Sequence, residues 1–209
     1  MDAPTLARDI AIVVAAFLIG GIPWGVIVAR LAGGPDPRSI GSGHTGGANV
    51  ARALGLRFAV VSGLLDVAKG GAAVLIARAF GAGAAVEVLA GLAAIVGHSR
   101  SPFLGFHGGR GVSPAFGGLL VIEPLVAIAI VPIFAIVFLA SRYSSLASLT
   151  ASAAGGIGLA LIAALTGQPP AYYVFAAGGP VLIWLFHHDN IARLLAGTER
   201  RFGSSRGAR

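Results

Sequence analysis

Long apolar runs alternate with short polar segments along most of the chain, and that alternation is the first structural signal. The runs cover residues 10–31, 58–80, 84–96, 115–122, 125–140, 146–165 and 171–186. About 20 apolar residues carry a helix across the hydrocarbon core of a bilayer, so the longer runs predict transmembrane helices, with Pro23 kinking the first. The stretch 115–140 reads either as one bent helix or as two shorter ones parted at Glu123-Pro124. Arginine placement decides, because cytoplasmic loops collect Lys and Arg. With a break at Glu123-Pro124, Arg38, Arg52, Arg57, Arg100, Arg110, Arg142 and the arginines of the tail fall on one side. The chain then crosses seven times, with the N-terminus outside and the C-terminus cytoplasmic. The prediction is an all-α integral membrane protein of the cell membrane, with about seven transmembrane helices and its polar glycine-rich loops on the cytoplasmic face.

Composition narrows this picture without changing it. The chain of 209 residues is 56% hydrophobic and 11% charged, which predicts a single membrane domain, 1–209, with a frayed basic tail from 197 to 209. The formal net charge of +7 comes from arginines scattered between apolar runs, so it points to an anionic bilayer surface and anionic substrates and not to nucleic acid. The absence of cysteine excludes disulfides and thiol catalysis. The first run continues into a structured-looking polar motif and is expected to stay as a span. Asp66 and Lys69 stand one helical turn apart inside the second run, where charges are expensive, so they are expected to buttress a site and not to touch lipid. Small residues in 146–165 permit close helix packing, and Tyr172, Tyr173 and Trp184 are expected as interface anchors. Ile191, Leu194 and Leu195 give an amphipathic turn suited to the membrane surface.

Two polar stretches carry candidate chemistry. The first, DPRSIGSGHTGGANVAR over 36–52, lies in a segment read as loop from 33 to 57. It offers Ser39, Ser42, Thr45 and Asn49, with glycines that let backbone approach an anion closely. The second, GHSRSPFLGFHGGRGVSP over 97–114, sets Gly108, Gly109 and Gly111 around Arg110, so that backbone N–H groups and a guanidinium can converge on one phosphate. Each stretch taken singly also fits a flexible membrane loop. No Gly-Lys-Ser or Gly-Lys-Thr closes either cluster, which excludes a Walker-type nucleotide loop. Histidines 44, 98, 107, 187 and 188 lack metal spacing in a rigid element, so metal catalysis is weakly supported and no metal is assigned. Ser145 and Ser148 lack the elbow of a serine hydrolase. Two phosphate cradles facing one membrane surface fit best.

At this level of detail the chain resembles the bacterial PlsY-type glycerol-3-phosphate acyltransferases over nearly its whole length. The first motif of that family is matched by Asp36, Arg38, Gly41, Ser42, Gly43, Gly46, Asn49 and Arg52, and the second by Gly97, His98, Pro102, Phe106, Gly108, Gly109, Gly111 and Val112. Smaller matches are Asp66 to Gly70, Arg142-Tyr143 with Ser145, Leu146 and Ser148, and a closing set of His187, Asn190, Ile191, Arg193, Leu194, Gly197 and Glu199. Departures fall at Gly21, His44, Gly47, Ala48, Arg110, Ser113 and Pro114; Arg110 replaces a point cation by a planar fork.

The resemblance implies transfer of a fatty acyl group from acyl phosphate to the sn-1 hydroxyl of glycerol 3-phosphate, without a cofactor, beside membrane lipid. It makes Ser42, His98 and Arg110 the catalytic candidates, with His98 relaying a proton or bracing the loop. Candidates for holding phosphate and glycerol are Arg38, Gly41, Gly43, His44, Gly46, Asn49, Arg52, Gly108, Gly109, Gly111, Arg142, Ser145, His187 and Asn190. The alternative readings are a transporter or flippase for an anionic lipid precursor, and a diverged relative with another acceptor or no activity.

Overall fold

Prolines and glycines punctuate an otherwise helical chain. The computed structural model describes residues 2–203 and holds ten α-helices among them. In chain order these are α1 (Ala3–Gly21), α2 (Trp24–Leu31), α3 (Gly47–Leu54), α4 (Leu56–Ala79), α5 (Ala84–Ser99), α6 (Val112–Ile122), α7 (Pro124–Ser141), α8 (Ser144–Thr166), α9 (Ala171–Phe186) and α10 (His188–Leu195). Four of them, α1, α4, α7 and α8, are long and apolar enough to cross a membrane, while α6 and α9 are shorter apolar helices.

The expected kinked span 10–31 is two helices. Pro23 has no N–H to donate and sits at φ −90° and ψ 72°, so α1 ends at Gly21 and α2 starts afresh at Trp24. The segment 33–57, read as loop, also needs correction. It contains a short 3-10 turn, Pro37–Ser39, and then α3, whose Ala, Val and Arg residues favour a helix once Val50 and Asn49 are buried against α2 and α4. The glycine signal obscured this because Gly46 and Gly55 flank the helix and do not interrupt it. At the ambiguous stretch the two-helix reading holds: Glu123 is extended (φ −146°, ψ 88°) and Pro124 opens α7.

Large residues point outward and small ones inward. Leu6, Ile10, Val14 and Leu18 line one exposed stripe of α1, and Leu125, Ile128, Ile136 and Leu139 are exposed on α7. Helix contacts are instead made backbone to backbone. A Cβ on Gly70 would overlap the Pro114 backbone, and one on Gly117 would overlap the Val67 carbonyl, so α4 and α6 touch through glycine. Gly20 against Ala94 and Gly97 against Phe17 join α1 and α5 in the same way. The main core lies among α4, α5, α6, α7, α8 and α9, around Val74, Ile95, Leu119, Leu159 and Phe175.

At the end of the bundle away from the glycine loops, Arg78 pairs with Glu87 at 2.8 Å, Tyr172 Oη donates to the same carboxylate at 3.2 Å, and Gln168 donates to Glu123 at 2.7 Å. Tyr172 is therefore a buried partner of Glu87 and not an interface anchor, whereas Tyr173 and Trp184 are exposed. The tail expected to fray is tied down at its start. Phe202 N–H donates to the Arg142 carbonyl at 2.8 Å, its ring packs on Phe138, and Glu199 is drawn into the site described next. Residues 204–209 of that tail lie outside the described residues.

Candidate active site

The first glycine loop is organised by one amide. Asn49, on α3 and 2% exposed, donates to the His44 carbonyl at 2.8 Å and to Ser42 Oγ at 3.1 Å, and its Oδ1 accepts from Arg52 Nη1 at 2.8 Å. Gly41, at φ +63°, is needed there because a Cβ would strike that Asn49 oxygen. Arg52 stands one turn along α3, exposed, and makes no ion pair among the described residues. Arg38 is instead paired with Asp36 at 2.7 Å.

The second loop is folded onto His98. Gly109 N–H donates to the His98 carbonyl at 3.0 Å, and a Cβ on Gly108 or Gly109 would overlap the His98 carbonyl or its ring Nε2. The Gly109 N–H is thus engaged, and contrary to the expectation from sequence it does not converge with Arg110 on a common point. Arg110 turns to α10 and donates to both Asp189 oxygens, at 2.6 and 2.9 Å, and to the Phe186 carbonyl at 2.9 Å. Asp189 also takes Arg193 at 3.1 Å and has His44 Nε2 at 4.0 Å. Beneath this loop Lys69 Nζ lies 2.7 Å from Asp66 Oδ1, 2.7 Å from the Ile22 carbonyl and 2.9 Å from His98 Nδ1. Asp66, Lys69 and His98 are all buried, as the spacing of the first two predicts.

Glu199 completes the wall. Its Oε1 accepts from Ser145 Oγ at 2.8 Å and Asn190 Nδ2 at 2.6 Å, and its Oε2 from Arg193 at 2.8 Å. A polar cavity of about 250 Å³ is lined by Ser42, His44, Gly46, Asn49, Arg52, His98, Arg110, Ser145, His187 and Asn190, with Asp66, Arg193 and Glu199. A second cavity of about 250 Å³, walled by residues such as Leu119, Ile130 and Phe175, is apolar; the two share Val112, Ser113, Phe134 and Ser148.

Charge states follow from burial and neighbours. Burial, then the positive charge of Arg110, pushes His44 below the usual histidine range, and its Nδ1 donates to the Gly108 carbonyl at 3.0 Å. Burial takes His187 down to about 4, with its Nδ1–H given to the Ile183 carbonyl at 2.8 Å. Both are neutral near pH 7. At Asp189 burial acts to raise the carboxyl, but hydrogen bonds and charge from Arg110 and then Arg193 hold it well below the usual carboxylate range.

A sequence profile described as glycerol-3-phosphate acyltransferase matches residues 10–197. The chain belongs to the glycerol-3-phosphate acyltransferase family. Among its relatives, the glycerol-3-phosphate acyltransferase of Roseiflexus sp. (strain RS-1) is 44% identical over 200 residues, covering 95% of this chain and 97% of that protein. One from Thermus thermophilus is 43% identical over 194 residues, covering 93% and 95%. The fold is similar to the crystal structure of PlsY, an integral membrane glycerol 3-phosphate acyltransferase, in its glycerol 3-phosphate form, with a TM-score of 0.85 and 38% identity over 94% of this chain and 96% of that one. The lysophosphatidic acid form of PlsY gives a TM-score of 0.83 at 36% identity, with the same coverage.

In this acyltransferase the cavity gathers ten of the residues singled out from sequence. Gly41, Gly43, Gly108, Gly109 and Gly111 shape the two loops without lining it. Arg38 and Arg142 stand outside: the first is held by Asp36, and the second is exposed at the end of α7 in a left-handed conformation, φ 61°. Asp189, Arg193 and Glu199 were not selected as site residues. Asp189 and Arg193 are spaced i, i+4, a readable ion-pair signal. Arg193 and Glu199 belong to the closing set of family matches, but the place of Glu199 in a tail expected to fray gave no sign of its contacts.

Proposed function

We propose that this family member moves a fatty acyl group from acyl phosphate to the sn-1 hydroxyl of glycerol 3-phosphate, giving lysophosphatidic acid and inorganic phosphate. The acceptor oxygen bonds to the acyl carbon, the bond from that carbon to the phosphate oxygen breaks, and the hydroxyl proton leaves with the phosphate. The observation that carries this reading is the junction of the two cavities: a polar one holding Arg52, a cation without a carboxylate partner among the described residues, opens against an apolar one at Ser113 and Ser148. A phosphorylated head and an acyl tail need that pairing. Ser42, Asn49, Arg52 and Arg110 bind phosphate and oxyanion, and His187 and Asn190 contact the glycerol phosphate. Proximity and preorganised donors then supply the acceleration.

The test is release of phosphate from acyl phosphate by the purified protein in detergent, with and without glycerol 3-phosphate. Acceptor-dependent release with lysophosphatidic acid as product supports the reading, and its absence in folded protein overturns it. The same assay fixes the state of His44. Because its pKa lies below the ordinary histidine value of 6.5, it has already lost its extra proton near neutrality, so the rate does not fall as pH rises through 6.5. A fall centred there that vanishes in His44→Asn/Ala48→Thr would show a cationic His44.

The reading includes seven crossings, the N-terminus outside and the site facing the cytoplasm. Its support is charge asymmetry: Arg30, Arg38, Arg52, Arg57, Arg100, Arg110 and Arg142 belong to the site end, whereas Arg8 and Arg78 belong to the other, where Arg8 donates to the Phe80 carbonyl. In intact cells Thr166→Cys is expected to react with an impermeant thiol reagent and Thr198→Cys to resist it; the reverse pattern overturns the orientation.

A further inference from the structure

The buried group Asp66, Lys69 and His98 lies under the second glycine loop, and its geometry specifies a proton position. Lys69 Nζ is within hydrogen-bond distance of the Ile22 carbonyl and of His98 Nδ1, and Asp66 Oδ1 stands beside it at 2.7 Å. An ammonium suits these three neighbours: it gives a proton to each neutral acceptor and supplies the counter-charge without which the Asp66 carboxylate would be buried unpaired. A neutral amine leaves that carboxylate uncompensated. If Lys69 donates to His98 Nδ1, that nitrogen carries a lone pair, and the ring proton of the neutral imidazole sits on Nε2.

The competing arrangement places the proton on Nδ1, directed at Asp66 Oδ1. Those atoms are 3.5 Å apart, whereas Nδ1 and the ammonium are 2.9 Å apart, so an Nδ1–H would press against a cation at the shorter distance. The charged groups acting on His98 are Asp66 and Lys69, both from α4. His98 lines the polar cavity, and its Nε2 has no hydrogen-bond partner among the described residues. The Gly109 backbone packs against the Nε2 edge of the ring, where a Cβ would overlap that nitrogen.

We propose that Lys69 is a positioning residue that locks His98 as a neutral imidazole protonated on Nε2, so that His98 donates a hydrogen bond to the anionic reactant and does not act as its base. The role toward reactant rests on the acyl transfer proposed above; the proton position does not. An Nε2–H at the wall of the polar cavity stabilises charge that develops on a phosphate or carbonyl oxygen. It has no lone pair with which to take the acceptor's hydroxyl proton. Between relaying a proton and bracing the loop, His98 thus does neither alone: its carbonyl holds Gly109 while its ring supplies a donor.

The deciding measurement is nitrogen NMR of the full chain, with its histidines 15N-labelled, in detergent micelles, His98 being assigned by its loss in His98→Gln. The expected spectrum is that of the Nε2–H tautomer between pH 6 and 8, and an Nδ1–H tautomer or an imidazolium overturns the proposal. Asp66→Leu/Lys69→Met removes both charges together, so neither is left unpaired. Its His98 nitrogens are expected to shift toward a mixture of tautomers, with kcat falling; unchanged shifts reduce Lys69 to a structural residue and overturn the lock. In the acyl-transfer assay His98→Gln, which keeps a donor, stays within about tenfold of wild type, and His98→Glu, an acceptor and base, loses a factor of about 10² to 10³. The opposite order assigns His98 as a base. Wild type with the Nε2–H tautomer but no turnover overturns the acyl transfer and leaves the lock standing, whereas turnover with an Nδ1–H imidazole does the reverse.

Discussion

Replacing Arg110 by alanine lowers kcat/KM for acyl transfer by about 2 to 5 kcal/mol in transition-state terms, roughly 30-fold to several thousand-fold. Two effects add. The cavity loses a largely buried guanidinium, and the Asp189 carboxylate that it held keeps Arg193 but loses its two shortest hydrogen bonds. A partly freed carboxylate beside the proposed phosphate site repels an anionic reactant, so Arg110→Ala/Asp189→Asn recovers part of the loss. Arg110→Lys keeps the charge, gives up the forked contact and retains most of the activity. Rates of lysophosphatidic acid formation across these variants are the measurement, and equal rates for wild type and Arg110→Ala would remove Arg110 from the chemistry.

Gly70→Val is expected to have the largest effect on stability. A Cβ there overlaps the carbonyl, Cα and carbonyl carbon of Pro114, all backbone, so no side chain can swing away to make room. Overpacking of a tight core costs about 1 to 3 kcal/mol and sometimes more. Here α4 and α6 must separate, and Pro114 lies three residues beyond Gly111, so the second glycine loop moves with it. Thermal unfolding in detergent is expected to drop sharply and activity to fall with it. Gly63→Ala, on the same helix with nothing within 4 Å of its Cβ, is the control and leaves the midpoint unchanged or raised. A Gly70→Val protein as stable as that control would sink the backbone-contact account of α4 and α6.

How much of this was legible beforehand depended on whether the signal was local. The break at Glu123-Pro124 was readable because proline and charge distribution act at one point, and Asp66 with Lys69 because their spacing places them on one face. The helix α3 was missed because propensity in a glycine-rich stretch is weak until Val50 and Asn49 find a surface to bury against, a tertiary effect. The glycine neighbours of Arg110 are local and readable, whereas its partner Asp189 is 79 positions away and is not. Glu199 was matched from sequence, but its contacts to Ser145, Asn190 and Arg193 exist only after α8 and α10 come together.

The shortness of α6 bears on the depth of the proposed site. Its 11 residues rise about 16 Å, roughly half the thickness of the hydrocarbon layer. Asp66, ten residues into α4 and hence about 15 Å along it, lines the polar cavity as well. On the proposed topology, with α4 entering the bilayer at its first turn, the floor of that cavity lies well inside one leaflet and not at its surface. On the proposed reaction, a single-tailed reactant entering from the bilayer would meet Ser113 and Ser148, where the polar and apolar cavities join, near the level of its own head-to-tail junction, with no need for its hydrocarbon to be lifted into water.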